Sequence, residues 1–586
     1  MQLTSEQMAV IETDGNLVIN AVAGSGKTTT LIEYAKSRPA QSKILYLAFN
    51  KTVKTEALQK FEAAGLKNVK VETAHSLAFD YIVKFSPYKV VQGYSSYEWC
   101  DTLGVRTGDR HTDFIIASHV GKFISYFCNS GVAKVQELNY EEVVADAKAK
   151  TFVSNFYKLI EQYTREALSK MDKGEIAVTH DFYLKKFQLS QPELPYDYIL
   201  FDEGQDASAA MLSVFLKQKA TKIIVGDVHQ QIYGWRYAIN SLQQVDFPVY
   251  NLSSSFRFDD EIGLIANKII AWKKQLQLKD TVKITGAGQV SGNIKTKATL
   301  GRTNLGLLLN AISQWQRGDI KNVYFEGNIN SYTFAEEGAS LYDILNLYNG
   351  KADKIKDKLI GSMKTMKELE DYIQKTEDNS LGMIVEVVKE FGNRLPSLIA
   401  ELKNNHTKQK EDAEMIFSTV HRCKGMEYDE VTLLNDFINE AKLQKQIEQY
   451  GGEKMNDSGR NRLAEEINVL YVAATRAKAK LIIPPEINPL KSIQVAESPL
   501  LSRPATRYKP ANDEWELYSR SRLSKTNYTK TTNHGKRWTD DDIELLEELF
   551  RNGNSLKEIA ASLGRGEKGV RVKLVQLGLI DEDEVF

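Results

Sequence analysis

Three stretches of this chain gather residue types that can do phosphate chemistry. The first is Ala21-Val22-Ala23-Gly24-Ser25-Gly26-Lys27-Thr28-Thr29. Gly24 and Gly26 let the backbone turn sharply, so consecutive N–H groups can face one anion. Lys27 can then reach terminal phosphates, and the Thr28 hydroxyl can hold Mg²⁺. Against the pattern G-x-x-x-x-G-K-[ST], Ala21 replaces the first glycine. The set Ala23, Gly24, Ser25, Gly26, Lys27, Thr28 and Thr29 is therefore the candidate nucleotide cradle. The second stretch is Asp202-Glu203-Gly204-Gln205-Asp206. Asp202 suits Mg²⁺ held through water, and Glu203 suits orienting and deprotonating an attacking water, the two roles that phosphoryl transfer to water requires. The third runs from Gly226-Asp227 through Gln230 to Tyr233-Gly234-Trp235-Arg236. Gln230 can sense a terminal phosphate. Tyr233, Trp235 and Arg236 offer flat surfaces for a base, or an aromatic turn packed into a domain interface.

The elements that must position these groups are legible around them. Leu17-Val18-Ile19 is a short apolar run before the phosphate loop, and Thr29-Thr30-Leu31-Ile32-Glu33 reads as a helix whose positive end faces the same anion. Tyr198-Ile199-Leu200-Phe201 and Lys222 to Val225 read as buried strands delivering the second and third stretches. Lys43 to Phe49 ends in Asn50, and Val69 to Glu72 ends in Thr73-Ala74-His75. Polar residues at the carboxyl ends of parallel strands lie beside the ligand crevice, although His75 also fits a half-buried structural histidine. Leu3-Thr4-Ser5-Glu6-Gln7 has the form of a helix capping box.

Further on, Ser255-Phe256-Arg257-Phe258 sets an aromatic beside an arginine. A second α/β unit is expected from Ala298-Thr299-Leu300-Gly301-Arg302-Thr303-Asn304, resuming at Met415 to Glu427, which includes Thr419 and His421. Asn468 to Ala477 is an apolar helix ending in Thr475-Arg476, and Arg476 has the setting of an arginine finger or of a salt-bridge residue. Between these stretches, 86–173 and 325–406 are helical and poor in motifs. Phe123, Tyr126, Phe127, Phe152, Phe156, Tyr157 and Tyr163 read as the core of the first insertion.

Composition bounds the rest. At 586 residues the chain exceeds a single core, and 42% hydrophobic with 26% charged content is ordinary for a soluble protein. No apolar run is long enough for a bilayer, and the start lacks signal-peptide character. Cys100, Cys128 and Cys423 form no ligand pattern, which points to reduced thiols and a cytoplasmic location. A net charge of −1 neither proposes nor excludes nucleic acid. Ser502 to Arg537 is a basic linker, and Trp538 to Ile580 reads as three short helices. The last of them presents Lys568, Arg571 and Lys573 beside apolar residues.

In order, these motifs resemble superfamily 1 helicases of the UvrD/Rep type, and more closely the F-box DNA helicases. Thr179-His180-Asp181-Phe182-Tyr183-Leu184-Lys185 looks like the latter subgroup. The resemblance implies two RecA-like domains with parallel sheets, assembled from 1–85 with 174–260 and from 261–324 with 407–490. They would be interrupted by insertions at 86–173 and 325–406 and followed by a linker at 491–537. It implies ATP and Mg²⁺ as cofactors, Gln7 reading adenine and Phe256 stacking on it. Gln230, Arg257 and Arg476 would lie at the terminal phosphate. Asn50, Thr73, His75, Tyr233, Trp235, Arg236, Arg302, Asn304, Thr419 and His421 would lie along single-stranded DNA. The three-helix unit of 538–586 resembles Myb-like and GcrA-type helix-turn-helix domains, whose last helix enters the major groove, so Lys568, Arg571 and Lys573 would meet duplex DNA, unless that module docks protein.

The function expected is an ATP-dependent helicase or translocase with 3′-to-5′ polarity, acting as a monomeric motor at single-strand/duplex junctions in repair, recombination or replication, with no membrane. The alternatives are an ATP-switched DNA-binding protein and an RNA helicase. Gly204 and Ser255 stand where the family has Ala and Asn. The ATP motifs begin at Leu3, which leaves no room for an F-box and points to a bare motor.

Overall fold

The computed structural model describes residues 3–278, 282–289, 292–327, 329–332, 341–452 and 455–490, and, toward the C-terminus, 542–543, 546, 549–550, 556–563 and 565–576. The chain divides into two units, 1–496 and 497–586.

The first unit contains two parallel sheets. In one, the strands lie in the order Val69–Thr73, Ile44–Ala48, Tyr198–Phe201, Thr221–Gly226, Leu17–Ala21, Val249–Leu252, and every pair is parallel. The Leu17–Ala21 and Ile44–Ala48 strands are buried at every position. Helices cover both faces of such a sheet, so its strands read as unbroken apolar runs rather than alternating ones. The second sheet has the order Val323–Phe325, Met415–Thr419, Lys297–Gly301, Tyr428–Leu433, Ala477–Ile482, again all parallel. Two α/β layers of this kind are the expected RecA-like pair.

Each sheet sends its strands toward one working edge, and polar side chains cap the helices that leave it. Asn50 accepts the Val53 N–H at 2.9 Å to open the Lys51–Ala63 helix. Thr73 and Ser76 form a reciprocal capping box on Ala74–Ile82, and Thr303 caps Asn304–Gln316. Each such cap is worth about 1 kcal/mol, and each leaves the positive end of a helix facing the sheet edge.

Two helical clusters interrupt the sheets in sequence. The first holds Ser96–Leu103, Arg110–Asn129 and Ala147–Asp172. Phe123, Phe127 and Phe152 are buried there, and Phe123 stacks on Tyr140 with centroids 4.8 Å apart. Tyr126, Phe156, Tyr157 and Tyr163 pack against the same core. The second holds Leu341–Tyr348, Met366–Thr376, Asn379–Phe391 and Leu395–Asn404. The three cysteines are buried free thiols. Among the described residues no helix is long and apolar enough to cross a membrane.

The second unit, taken by itself, has helices Leu556–Ser562 and Glu567–Gln576 and helical backbone at Asp542, Ile543, Leu546, Leu549 and Phe550. Leu546, Ile559, Ala560, Leu563, Val570 and Leu574 form its core. Arg565 pairs with Asp542 at 2.6 Å. Arg571 and Lys573 are half-buried beside exposed Val572. The basic linker 491–537, Trp538 and the side chain of Lys568 lie outside the described residues.

Candidate active site

The phosphate loop lies between the Leu17–Ala21 strand and the Lys27–Lys36 helix. Gly24 and Gly26 have φ of 74° and 79°, a region that costs glycine nothing. Ala21 is still part of the strand, aligned with Leu252 in the parallel ladder, so the glycine of the consensus is not needed there for a turn. Gly24 carries a second constraint. A Cβ on it would lie 2.6 Å from Arg257 Cβ and 2.8 Å from Ser255 Oγ. The Ser255-Phe256-Arg257 segment therefore seats directly on the loop, and Phe256 N–H donates to Gly24 O at 2.9 Å.

Gln7 caps its helix and reaches the phosphate loop. It completes the capping box with Thr4, and its amide nitrogen donates to Thr30 Oγ1 at 3.1 Å and to Ser25 O at 3.4 Å, tying the N-terminal helix to the loop. Phe256 is 41% exposed and borders a cavity of about 330 Å³. That cavity is lined on its other side by Gln289, Glu427 and Lys478 of the second α/β layer.

The charged centre sits beside the loop. Lys27 Nζ is 2.5 Å from Glu203 Oε1. Burial disfavours the ammonium, but Glu203, Asp202 and Asp227 together hold its pKa above the usual lysine value. Burial likewise works against the Glu203 carboxylate, yet Lys27 and Lys424 outweigh it and hold this acid well below its usual range. Asp202 moves the other way. Burial and the adjacent Glu203 raise its pKa, against the pull of Lys27. Its two oxygens accept from the Tyr46 hydroxyl and from the Glu203 N–H. The two neighbouring acids are thus tuned apart, one ionised by its cation partner and one short of positive charge. Glu203 holds φ of 54°, a backbone state costing a non-glycine residue on the order of 1 kcal/mol, and the two carboxylates meet different partners, Asp202 the Tyr46 hydroxyl and Glu203 the Lys27 ammonium. Gly204 follows because a Cβ there would lie 2.5 Å from Ile224 Cγ1.

The donor set suits Mg²⁺. This ion usually takes one or two carboxylates and leaves its other positions to water and phosphate. Thr28, in the first turn of the helix, and the Asp202 carboxylate supply such a set. Among the described residues no cluster of three or more His, Cys, Asp or Glu forms an all-protein metal cage.

The second layer reaches into this centre. Lys424 pairs with Asp206 and donates to Gln230 O at 2.6 Å. Tyr471 donates its hydroxyl to Asp227 Oδ2 at 2.8 Å and accepts the Ala23 N–H at 3.4 Å. Gln230 is turned onto the same carboxylate, its amide 2.9 Å from Asp227 Oδ2. Arg257 pairs with Glu427 at 2.9 Å and donates to Thr475 O at 3.0 Å. Arg476 is 1% exposed. It donates to Val472 O, Met426 O and Thr475 Oγ1, and burial together with nearby Arg257 lowers its pKa to about 10.

The candidate strand-binding residues lie on the same working edge with unequal freedom. Tyr233 stacks on Phe49 at 5.5 Å and donates to His421 O at 3.0 Å, so this ring is committed to the interface. Trp235, by contrast, is 53% exposed, with the Arg236 guanidinium 4.7 Å from its ring centroid. Burial lowers the pKa of His75 and pushes that of His421 to about 4, so both imidazoles are neutral near pH 7 and would bind as hydrogen-bonding groups rather than cations. Arg302 is held by Glu466 through two contacts of 3.0 and 2.7 Å. Asn304 Oδ1 is buried and accepts no hydrogen bond among the described residues. Thr419 ends the Met415–Thr419 strand and is buried.

Tyr46, Asp206, Asp227, Lys424, Glu427 and Tyr471 escape a reading of the sequence as catalytic partners. All but Tyr46 stand inside motifs named above, but nothing in those motifs shows which distant group each one meets.

Residues 3–246 match the UvrD/REP helicase N-terminal domain family. The chain is 29% identical over 516 residues to F-box DNA helicase 1 of Gallus gallus, covering 82% of this chain and 49% of that protein. It is 29% identical over 545 residues to F-box DNA helicase protein 1 of Schizosaccharomyces pombe, covering 84% and 58%. To the ATP-dependent DNA helicase PcrA of Bacillus subtilis it is 28% identical over 299 residues, covering 45% and 39%. The chain spans about half the length of the curated relatives it matches. The phosphate loop and the Asp202-Glu203 pair thus fall within a segment similar to the N-terminal domain of UvrD/REP helicases, and the similarity to F-box DNA helicases extends over most of the chain.

Proposed function

We propose that this chain is an ATP-dependent DNA helicase or translocase that moves on single-stranded DNA, with the 3′-to-5′ polarity that its resemblance implies. The observation that carries this reading is the shared seam. Lys27, Asp202, Glu203, Asp206 and Asp227 stand on one α/β layer, while Lys424 and Tyr471 of the other bond to Asp206 and Asp227, and Arg476 feels the charges of Arg257 and Glu203. A change in phosphate charge at that seam alters contacts that hold the two layers together.

Lys27 and Glu203 neutralise each other in this structure. ATP would compete for Lys27 through its terminal phosphates, which releases the Glu203 carboxylate to orient and deprotonate a water. Thr28 and Asp202 would hold the Mg²⁺ that accompanies ATP and supplies neutralising charge. Arg257 and Arg476 would stabilise charge on the transferred group, and Gln230 would leave Asp227 for it. Gln7 and Phe256 would receive the base. Trp235 and Arg236 offer a stacking surface for the strand, worth roughly 1–3 kcal/mol per base. The helix N-termini capped by Asn50, Thr73 and Thr303 favour its phosphates. In the C-terminal unit, Arg571 and Lys573 support contact with duplex DNA. Repair, recombination and replication all fit such a motor.

The test is ATP hydrolysis with and without single-stranded DNA, followed by unwinding of duplexes that carry a 3′ or a 5′ tail. Strand-stimulated turnover with unwinding from the 3′ tail alone is expected. Turnover without strand separation would point to an ATP-switched binding protein, and equal stimulation by RNA of the same sequence to an RNA-directed enzyme.

Tyr471 gives a sharper check of the seam. Tyr471→Phe keeps the buried ring and removes the bonds to Asp227 and to the Ala23 N–H. Strand-stimulated turnover should fall about tenfold, the scale of a lost hydrogen bond to a charged group, with ATP affinity nearly unchanged. Steady-state kinetics would read both.

A further inference from the structure

The helix Asp457–Ala474 runs beside the Asp227–Arg236 segment and touches it at regular intervals. Tyr471 bonds to Asp227 at 2.8 Å, Asn468 Nδ2 donates to Gln231 O at 2.8 Å, and Glu465 Oε1 accepts the Gly234 N–H at 3.1 Å. Residues three apart lie on one side of a helix, so a single helix face follows the segment from the phosphate loop to the exposed Trp235.

The Glu465 contact differs from the other two in meeting a backbone position that carries no side chain. A Cβ on Gly234 would lie 2.4 Å from Glu465 Oε2. Gly234 is not among the residues with positive φ, so its backbone conformation would accept other side chains. A Cβ there would push this carboxylate away from the turn. The neighbouring Glu466 is engaged elsewhere, with Arg302. Burial pushes the Glu465 carboxyl up to about 7, further raised by Glu466 and Asp206 and opposed by the Gly234 N–H and Arg302. An acid is thus kept where its charge is disfavoured, against a glycine whose missing Cβ leaves the space the carboxylate occupies.

We infer that Glu465 is a positioning residue that fixes the Gly234–Arg236 turn, and with it Trp235, for the strand. This rests on the functional reading above. Glu465 acts through the turn and touches neither nucleotide nor reacting atoms.

The experiment uses the full chain and titrates ATP hydrolysis with oligo(dT). In Glu465→Ala, turnover without DNA and the KM for ATP should stay within about twofold of wild type. The oligo(dT) concentration for half-maximal stimulation should rise about tenfold, as the hydrogen bond that holds the turn is lost. Glu465→Gln keeps an oxygen that accepts the Gly234 N–H and should recover most of that loss. Gly234→Ala should show the same defect through its clash, and the double variant Gly234→Ala/Glu465→Ala should be no worse than either single one, because both changes act on one contact. An unchanged oligo(dT) requirement in Glu465→Ala overturns the inference, as does a Gln variant as defective as Ala or a shift confined to the KM for ATP. Those results would leave the functional reading intact if wild type is stimulated normally. A wild type without strand-stimulated turnover overturns both.

Discussion

Arg476→Lys should lower strand-stimulated ATP turnover by about 10³-fold or more, within the roughly 10³–10⁵ that a finger arginine contributes to phosphoryl transfer. The expectation rests on how this guanidinium is held. It is 1% exposed and forks between Val472 O, Met426 O and Thr475 Oγ1. Among the described residues no carboxylate forms an ion pair with it. Its pKa, lowered to about 10 by burial and by Arg257, marks a cation stored without an anion, for which a phosphate would compensate. Lysine retains the charge but presents a compact ammonium that cannot span the same three acceptors. Thermal unfolding of the variant separates the two ways it could lose activity. A folded protein with turnover reduced less than about tenfold would show that Arg476 only braces the end of its helix.

Lys27→Ala should abolish measurable turnover, with a loss of at least about 10²–10³ expected for removing one preorganised charge at a transferring phosphoryl group. It should also destabilise the protein, which is the more discriminating outcome. Lys27 neutralises Glu203 directly and draws on Asp202 and Asp227. Without it the carboxylates face one another, and the roughly 3–5 kcal/mol cost of breaking a fully buried pair is an upper bound, because the Lys27 and Glu203 side chains keep 16% and 18% exposure. Adding Glu203→Gln to Lys27→Ala removes one of those negative charges. The double variant should therefore regain part of the lost unfolding temperature while staying inactive. Calorimetry beside a turnover assay would read this. Equal melting of the single and double variants would mean that Glu203 does not depend on Lys27 for its charge.

The chemistry-bearing motifs were legible because each depends on neighbours in sequence. Gly24, Gly26, Lys27 and Thr28 form a cradle through local backbone turns, and Asp202-Glu203 follows directly from the strand that precedes it. Unbroken apolar runs such as Ile44–Leu47 announced parallel strands for the same reason, since burial on both faces removes any alternation.

Other features depended on which distant segments the fold brings together. The hydroxyl on Asp202 comes from Tyr46, one strand away in the sheet. The cation on Asp206 is Lys424, and the hydroxyl on Asp227 is Tyr471, each more than 200 positions away. No local pattern encodes those pairs. The same holds for the aromatic turn, where composition treats Tyr233 and Trp235 alike. Packing commits Tyr233 to Phe49 and His421 and leaves Trp235 exposed.

By itself, the sequence determined which groups can do phosphate chemistry and which runs form the strands that deliver them, because turn geometry and hydrophobic period are local properties. Only the tertiary structure decided their charge states and partners. Burial and cross-layer contacts hold Glu203 ionised, leave Asp202 short of positive charge, keep His75 and His421 neutral, and make Gly234 a seat for Glu465. Those are properties of the medium that the folded chain creates, and they arise once the two layers meet.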